Sequence, residues 1–217
     1  MVADLHIHSN FSDGTHSPEE VVAMAKEARL KTISITDHDV VEGILPAQEE
    51  GQRIGIEVIS GVEFTTELPK AEVHILGYFI DYKNQKLLEV LAKIQKSRSQ
   101  RVYQIVEKLM GMGINLEAEE VFSLAKGKSP GRPHVARALL AKKIVRSVKE
   151  AFERFLDFHA PAYVPHYKLT PAEAIALIKE AGGIAVFAHP GMSNCDEIIP
   201  DLMAEGLRGL EVYYPAH

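Results

Sequence analysis

The chain has 217 residues, of which 46% are hydrophobic and 25% are charged, and its formal net charge is −6. These proportions match an ordinary soluble globular protein of one domain or two small ones. Cys195 is the only cysteine, which excludes an internal disulfide and a thiolate metal cage. No apolar run approaches the ~20 residues of a membrane span and no signal peptide is recognisable, so we expect a cytoplasmic protein.

Charge is distributed unevenly along the chain. Residues 83–168 contain 17 Lys and Arg against 8 Asp and Glu, whereas the remaining residues contain 7 basic and 22 acidic side chains. This division predicts one part that holds cations and one part that attracts anions. A lysine-rich, solvated helical surface is the alternative explanation of the same pattern.

The first eighty residues alternate between predicted strands and helices. Strands are predicted for "VADLHIHS", "KTISIT", "IEVIS" and "AEVHILGYFI". Ser17 and Glu20 have the spacing of a capping box, with Pro18 at the first helical position, which predicts a helix after the first strand. A short helix is expected near Pro46 to Arg53, before the third strand.

From about residue 84 to residue 157 the patterns are helical only, in "QKLLEVLAKIQKSRSQRVYQIVEKLMGMG", "EAEEVFSLAK", "PHVARALLAKK" and "VKEAFERFLD". The alternation then resumes with a helix capped by Thr170 and Glu173, the strand "IAVFAHP", the helix "DEIIPDLMAEG" and the strand "GLEVYY". Strands separated by helices predict an α/β fold with a parallel sheet or barrel. We therefore predict a barrel formed by residues 1–82 and 168–217, discontinuous in sequence, with an all-helical insertion at residues 83–167.

Side chains of the types that bind metals fall at or near the ends of the predicted strands. They are His6 and His8 on the first strand, His38 after the second, Glu63 after the third, His74 within the fourth, His189 at the end of the fifth and His217 after the sixth. Each alone has a structural explanation, such as a turn or a helix cap. In (β/α) barrels, however, the active site lies at the carboxyl ends of the strands, so their coincidence predicts one shared site.

Imidazoles and carboxylates without cysteine favour zinc, manganese or iron. The sequence supplies more such ligands than one ion needs, which predicts two or three divalent ions with Glu63 as a bridging carboxylate.

The motifs "DLHIHS", "ITDHD", "GVEF", "EVHILGY" and "AHP", in this order, resemble the PHP (polymerase and histidinol phosphatase) superfamily of metal-dependent phosphoesterases. The insertion, with "GRPHVARAL" and "AYVP", is similar to the TrpH-like branch. The resemblance implies a distorted, TIM-like (β/α)7 barrel with three metals. It assigns His6, His8 and Glu63 to the first metal, Glu63, His74 and His189 to the second, and Asp13 and His38 to the third.

One departure from the family pattern concerns the last strand. The family ends with an Asp-x-His motif, and no such motif follows His189 here. We therefore expect the C-terminal part of the barrel to be missing from this sequence, and the first and third metal sites to be short of one ligand.

The expected chemistry is metal-assisted hydrolysis of a phosphate ester. Clustered cations lower the pKa of a water molecule, which then attacks phosphorus in line. Glu63, Asp13 and His38 are the predicted catalytic residues.

The expected substrate site lies in "AKGKSPGRPHVARALL", where Lys126, Lys128, Arg132 and His134 surround the start of a helix at Pro133. A helix N-terminus attracts anions, and an arginine adds bidentate phosphate recognition. An exposed basic turn is the alternative.

Arg98 and Arg101 are three positions apart on one predicted helix face and are expected to reach a second phosphate. His217 is expected either to contact substrate or to be a chain-end histidine. These features predict a phosphorylated small molecule, a nucleotide or a short RNA as the partner, with no membrane contact. The branch suggests a 3′,5′-nucleotide bisphosphate such as pAp, or the 5′ end of RNA. The alternatives are a histidinol-phosphate phosphatase and a non-catalytic module that binds metal or nucleic acid.

Overall fold

The computed structural model describes residues 2–68, 71–125, 127 and 129–214. Its strands form one sheet in chain order, and they are β1 (Ala3–Ile7), β2 (Thr32–Ile35), β3 (Glu57–Leu68), β4 (Ala71–Tyr78), β5 (Ile184–Phe187) and β6 (Gly209–Leu210).

The α-helices are α1 (Pro18–Glu27), α2 (Ile44–Ile54), α3 (Gln85–Gly111), α4 (Ala118–Leu124), α5 (Arg132–Ala141), α6 (Val148–Ala151), α7 (Pro171–Glu180), α8 (Pro190–Ser193) and α9 (Ile199–Glu205). A π-helical turn, Phe152–Leu156, continues α6, and a 3-10 turn, Asp196–Ile198, precedes α9. Within the described ranges, none of these helices combines the length and the apolar character that crossing a bilayer requires.

Both predicted capping boxes are confirmed. At the start of α1, the Ser17 hydroxyl accepts from the Glu20 N–H at 3.3 Å, and the Glu20 carboxylate accepts from the Ser17 N–H at 2.8 Å. Thr170 and Glu173 make the same reciprocal pair at the start of α7. Each box satisfies two backbone N–H groups that a helix start leaves without an intrahelical partner.

The α/β architecture is confirmed, but the prediction of a parallel sheet is wrong at β4. This strand runs antiparallel to both β3 and β5, whereas the pairs β1–β2, β2–β3 and β5–β6 are parallel. β4 begins three positions after β3 ends, which allows a hairpin, while a parallel crossover needs about a dozen residues or more. β3 also extends to Leu68, so Glu63 lies inside the strand. The sequence analysis had placed Glu63 after the end of this strand.

Two main hydrophobic clusters share α3. Leu87, Leu91 and Ile94, in its first half, pack with barrel residues such as Phe64 and Phe187. The second half belongs to the other cluster, which is the core of the helical insertion.

That insertion core joins α3 to the helices that follow it, and it includes Val102, Ile105 and Leu109 with Leu139 and Leu156. The predicted run of helices between residues 84 and 157 is confirmed. The boundaries at 82/83 and 167/168 stay predictions. α3 is about 40 Å long at 1.5 Å per residue and contributes side chains to both clusters, so one continuous helix connects the insertion to the barrel.

Candidate metal centre

One buried carboxylate lies at the centre of the histidine cluster. The side chain of Glu63, in β3, is only 1% exposed. Five imidazoles direct a nitrogen at it: His74 Nδ1 (2.8 Å) and His189 Nε2 (3.0 Å) approach Oε1, and His8 Nε2 (3.1 Å), His38 Nδ1 (3.1 Å) and His6 Nε2 (3.2 Å) approach Oε2. The structure thus brings six of the predicted metal ligands together, and their role as ligands stays a prediction.

Strand geometry explains how distant residues meet. His6 lies on β1 and His8 directly follows it, so the two side chains share one face of the extended chain. His38 follows β2 and its backbone bridges to Glu63 on β3. His74, on β4, lies opposite Thr65 of β3, which places its ring beside the same carboxylate.

Glu211 is a further member of the cluster that the sequence analysis missed. Its carboxylate lies 2.9 Å from His6 Nδ1 and accepts the backbone N–H of His189 at 2.7 Å. His189 has φ of 30°, in the left-handed region that residues other than glycine seldom adopt, and this hydrogen bond helps to hold it there. Glu211 directly follows the observed β6, but the predicted strand "GLEVYY" continued past it, so the sequence did not mark it as a strand-end residue. His217, which was predicted instead, lies outside the described residues.

The arrangement fits a metal centre. Donor atoms of His6, Glu63 and His189 lie within 4.8 Å of one another, and those of His8, His38 and Glu63 do the same. Glu63 belongs to both groups, as expected of a bridging ligand. All the donors are nitrogen or oxygen, which suits zinc, manganese or iron.

The grouping differs from the one implied by the resemblance, which placed His6 with His8 and His189 with His74. The division of the ligands among ions therefore stays a prediction. Asp13 lies on the His8 side of the cluster, with Oδ1 3.3 Å from His8 Nδ1 and Oδ2 3.9 Å from His38 Nε2.

Asp37 fixes the loop that carries Asp13. This carboxylate is 1% exposed and accepts the Ser9 N–H at 2.7 Å, the Ser9 hydroxyl at 2.5 Å and the Ser12 hydroxyl at 2.6 Å. Because these bonds tie the segment after β1 to the end of β2, Asp13 is presented to the cluster by a constrained backbone.

Electrostatics within the cluster favour an anionic carboxylate, while burial lowers the pKa of one of its neighbours, His38, to about 3. Burial alone would raise the pKa of Glu63, but the charges of His38 and His74 and the hydrogen bonds from His189 and His6 hold it well below its ordinary value. Burial would lower the pKa of His6, yet the hydrogen bonds with Glu211 and Glu63 raise it to about 10. A proton on His6 then competes with a cation for the ring nitrogen, so metal binding there releases a proton.

A cavity of about 150 Å³ separates this cluster from the helical insertion. From the barrel, the cavity is lined by members of the histidine cluster and its neighbours, which include Asp13, His38 and His74. From the insertion and the segment after it, the cavity is lined mostly by basic side chains: Arg98, Arg101, Arg132, His134 and His166. Four of the predicted substrate residues, Arg98, Arg101, Arg132 and His134, therefore lie next to the histidine cluster. Lys126 and Lys128, which were predicted to join them, lie outside the described residues.

Arg98 is engaged within the protein. It is 7% exposed, and its Nε donates to the Asp39 carboxylate at 2.9 Å while Nη2 donates to Asp39 and, at 2.9 Å, to the Thr65 hydroxyl. Local sequence patterns provide no reason to pair a helix arginine with an aspartate 59 positions earlier. The contact joins α3 to the segment that carries His38, and the predicted substrate role of Arg98 stays a prediction.

Arg101 and His166 bring unpaired polar atoms to the cavity. Arg101 Nε donates to the Val164 carbonyl at 2.7 Å, but its Nη2 is buried and has no hydrogen-bond partner among the described residues. Burial, with the charges of Arg132 and Arg98, lowers the pKa of Arg101 to about 9. Both ring nitrogens of His166 are buried and likewise unpartnered in the part of the chain described. Sequence analysis assigned His166 no role, since its burial is not visible in the sequence.

Arg132 and His134 lie at the start of α5. Arg132 Nη2 donates to Glu72 at 2.9 Å, and Lys168 Nζ donates to the same carboxylate at 2.5 Å. His134 is 1% exposed, and its Nδ1 accepts the Gly131 N–H at 3.1 Å. One of the amides that the sequence predicted to be free for an anion is therefore already capped.

Known proteins show the same sequence pattern and fold. The profile of the PHP domain family matches residues 4–164. The chain is 36% identical to the 5′-3′ exoribonuclease Rnm of Escherichia coli over 100% of its own length and 72% of the relative. It is 32% identical to a 3′,5′-nucleoside bisphosphate phosphatase of Chromobacterium violaceum, over 99% of this chain and 77% of the relative.

A solved structure extends the likeness to the fold. It is a protein of Bifidobacterium adolescentis assigned as a metal-dependent phosphoesterase, which superposes with a TM-score of 0.90 and 31% identity, over 97% of this chain and 77% of that one. The expected barrel-like α/β fold and the expected class, metal-dependent phosphoesterases, are thereby confirmed. The family profile, the two relatives and the solved structure all agree with the motifs found at the strand ends. The chain therefore belongs to the PHP domain family.

Proposed function

We propose that this PHP domain hydrolyses phosphate esters of nucleotides, either a 3′,5′-bisphosphate such as pAp or the 5′ end of RNA. The observation that carries the proposal is the placement of Glu63 and its five imidazoles across a small cavity from the buried, unpaired guanidinium nitrogen of Arg101. A nitrogen and oxygen centre suits divalent cations, and a buried unpaired cationic donor suits an anion. The names of the two relatives, a ribonuclease and a bisphosphate phosphatase, support this substrate class.

Two or three divalent ions, of manganese, zinc or iron, are the proposed cofactors. The proposed ligands are His6, His8, Asp13, His38, Glu63, His74 and His189. Bound metal ions would supply an activated water and neutralise charge on the phosphoryl oxygens. The surrounding imidazoles stabilise the negative charge of Glu63. Glu211 orients the ring of His6 through a hydrogen bond with Nδ1.

The insertion supplies the proposed anion site. Arg101 has a guanidinium nitrogen that no described group accepts from, and Arg132 lies beside it with one nitrogen paired to Glu72. A phosphate oxygen near Arg101 would relieve the energetic penalty of a buried unpaired donor, which is about 1–3 kcal/mol. Such a contact favours a phosphate ester held between the insertion and the histidine cluster.

Hydrolysis after controlled metal loading tests the proposal. The protein is stripped of metal with a chelator and reloaded with manganese, zinc or iron. Phosphate release from pAp and mononucleotide release from short 5′-phosphorylated RNA are then compared. We expect turnover of at least one substrate only after reloading.

Two variants on the same strand give the matched comparison. Glu63→Gln is expected to lower turnover by more than about 100-fold, since charge stabilisation by a metal centre is worth several kcal/mol. Glu57→Gln changes an exposed carboxylate at the first position of β3 and should leave turnover unchanged. Reloaded protein that hydrolyses neither substrate, or Glu63→Gln with wild-type turnover, would contradict the proposal.

A further inference from the structure

A second, larger cleft adjoins the cavity beside the histidine cluster. Its volume is about 760 Å³, and Glu72 and Arg132 line both spaces. Ligand pockets usually measure about 300–1,000 Å³, so the smaller space of about 150 Å³ suits a phosphate group and the larger one suits the rest of a substrate. A molecule that extends past the Glu72–Arg132 pair can occupy both.

The cleft presents aromatic side chains. Phe158 is 59% exposed, although phenylalanine usually buries its ring, and it lies 5.2 Å from the ring of Tyr163 at an interplanar angle of 75°. Both residues line the cleft. Such an edge-to-face pair holds the orientation of Phe158 while leaving much of its surface open. An exposed, fixed aromatic ring is a stacking platform for a nucleobase, because every base has a flat π-face.

The charged side chains that line the cleft favour a nucleoside over a second phosphate group. The two cations among its described lining residues are already paired inside the protein: Lys168 Nζ contacts Glu67 at 3.2 Å and Glu72 at 2.5 Å, and Arg132 contacts Glu72. Asp157 adds an exposed carboxylate, so among the lining residues that the structure describes the acidic side chains outnumber the basic ones. An acidic lining disfavours another phosphate. Carboxylates accept hydrogen bonds, and ribose hydroxyls and the amino groups of bases donate them.

We propose that this cleft binds the nucleoside of the substrate, with its base stacked on Phe158, while the phosphate ester lies in the smaller cavity. The inference rests on the proposed function and adds to it how the substrate is divided between the two spaces. It also requires that the base contributes to binding, so substrates without one should bind less tightly.

Phe158→Ala tests the stacking contact. Tyr103→Ala is the matched control, because Tyr103 is 54% exposed on α3 of the same insertion and does not line the cleft. Calorimetry with adenosine, which has no phosphate, should show about tenfold weaker binding to Phe158→Ala and unchanged binding to Tyr103→Ala. Phe158→Leu keeps an apolar side chain without a π-face and should weaken adenosine binding similarly. It serves as the test if the alanine variant fails to fold.

Kinetics separate the base from the phosphate. Phe158→Ala should raise the KM for pAp about tenfold and leave the KM for ribose 3,5-bisphosphate, which has no base, unchanged. For RNA, the same comparison uses a 5′-phosphorylated strand with and without the first base. Equal effects on substrates with and without a base, or adenosine binding that ignores both substitutions at Phe158, would overturn the inference.

The two proposals fail in different ways. Adenosine binding that depends on Phe158 in a protein without hydrolytic activity would reject the phosphoesterase and keep the nucleoside cleft. Hydrolysis with the same KM in the wild type and in the Phe158 variants would reject the nucleoside cleft and keep the phosphoesterase.

Discussion

Removing the charge of Asp39 should destabilise the protein strongly, because it leaves the guanidinium of Arg98 buried without a counter-charge. The side chains of Asp39 and Arg98 are 0% and 8% exposed, and among the described residues Arg98 otherwise donates a hydrogen bond to the hydroxyl of Thr65. Asp39→Asn is the appropriate change, because Asp39 has φ of 52° and asparagine tolerates the left-handed region that alanine would find strained.

The magnitude follows from the burial of the pair. Breaking a buried ion pair by removing one partner costs about 3–5 kcal/mol, and asparagine retains one acceptor, so we expect about 3 kcal/mol for Asp39→Asn. For a chain of this length that loss lowers the melting temperature by roughly 6–12 °C. The double variant Asp39→Asn/Arg98→Met removes both charges and should be less destabilised than the two single effects added together.

Urea unfolding of the four proteins in this cycle gives the free energies of unfolding. Glu180→Gln is the matched control, because it breaks the exposed pair between Lys86 and Glu180, whose side chains are 61% and 47% exposed. We expect the control to stay within about 0.5 kcal/mol of wild type. A loss below about 1 kcal/mol in Asp39→Asn, or strictly additive effects in the double variant, would refute the reasoning.

Two further substitutions address the site directly. Glu211→Gln should weaken metal binding by about 10–100-fold, because it removes the carboxylate that orients His6, and direct metal titration of the chelator-treated protein measures this. Unchanged affinity would show that Glu211 has no orienting role. Arg101→Met should raise the KM for pAp at least about tenfold while changing the free energy of unfolding by less than about 1.5 kcal/mol, because the loss of the hydrogen bond from Nε to the Val164 carbonyl is offset by the removal of a buried nitrogen that has no partner among the described residues. Steady-state kinetics and urea unfolding test the two halves of that statement, and a larger loss of stability with an unchanged KM would contradict both.

The sequence predicted the convergence of the histidines because strand ends are recognisable from local patterns. His38, His74 and His189 each follow or lie on a strand whose apolar residues and flanking turns are evident. The direction of β4 was misjudged, although the interval before it was visibly too short for a crossover. Glu63 was predicted to follow the third strand, but β3 continues past the predicted segment "IEVIS" and includes Glu63. Its assignment to the histidine cluster was nevertheless correct.

Side-chain partners over long sequence separations were beyond the sequence alone. Nothing local distinguishes Arg98, which is paired with Asp39, from Arg101, which keeps an unpaired nitrogen, since both lie on the same predicted helix face. The burial of His166 is equally hidden, because it depends on how the segment after the insertion returns to the barrel. Such contacts follow from the packing of α3 against the sheet and not from periodicity.

The Arg98–Asp39 contact relates the stability of the fold to the geometry of the site. Asp39 directly follows His38, whose ring faces Glu63, and Arg98 lies about one helical turn before Arg101 on α3. Together with the apolar packing of α3, this buried ion pair therefore helps to position a predicted metal ligand relative to a predicted phosphate-binding arginine. A substitution at Arg98 removes this contact between the two groups, so a loss of activity in such a variant does not by itself assign Arg98 to the substrate. Only the comparison with Arg101→Met, which leaves the ion pair in place, separates the two roles.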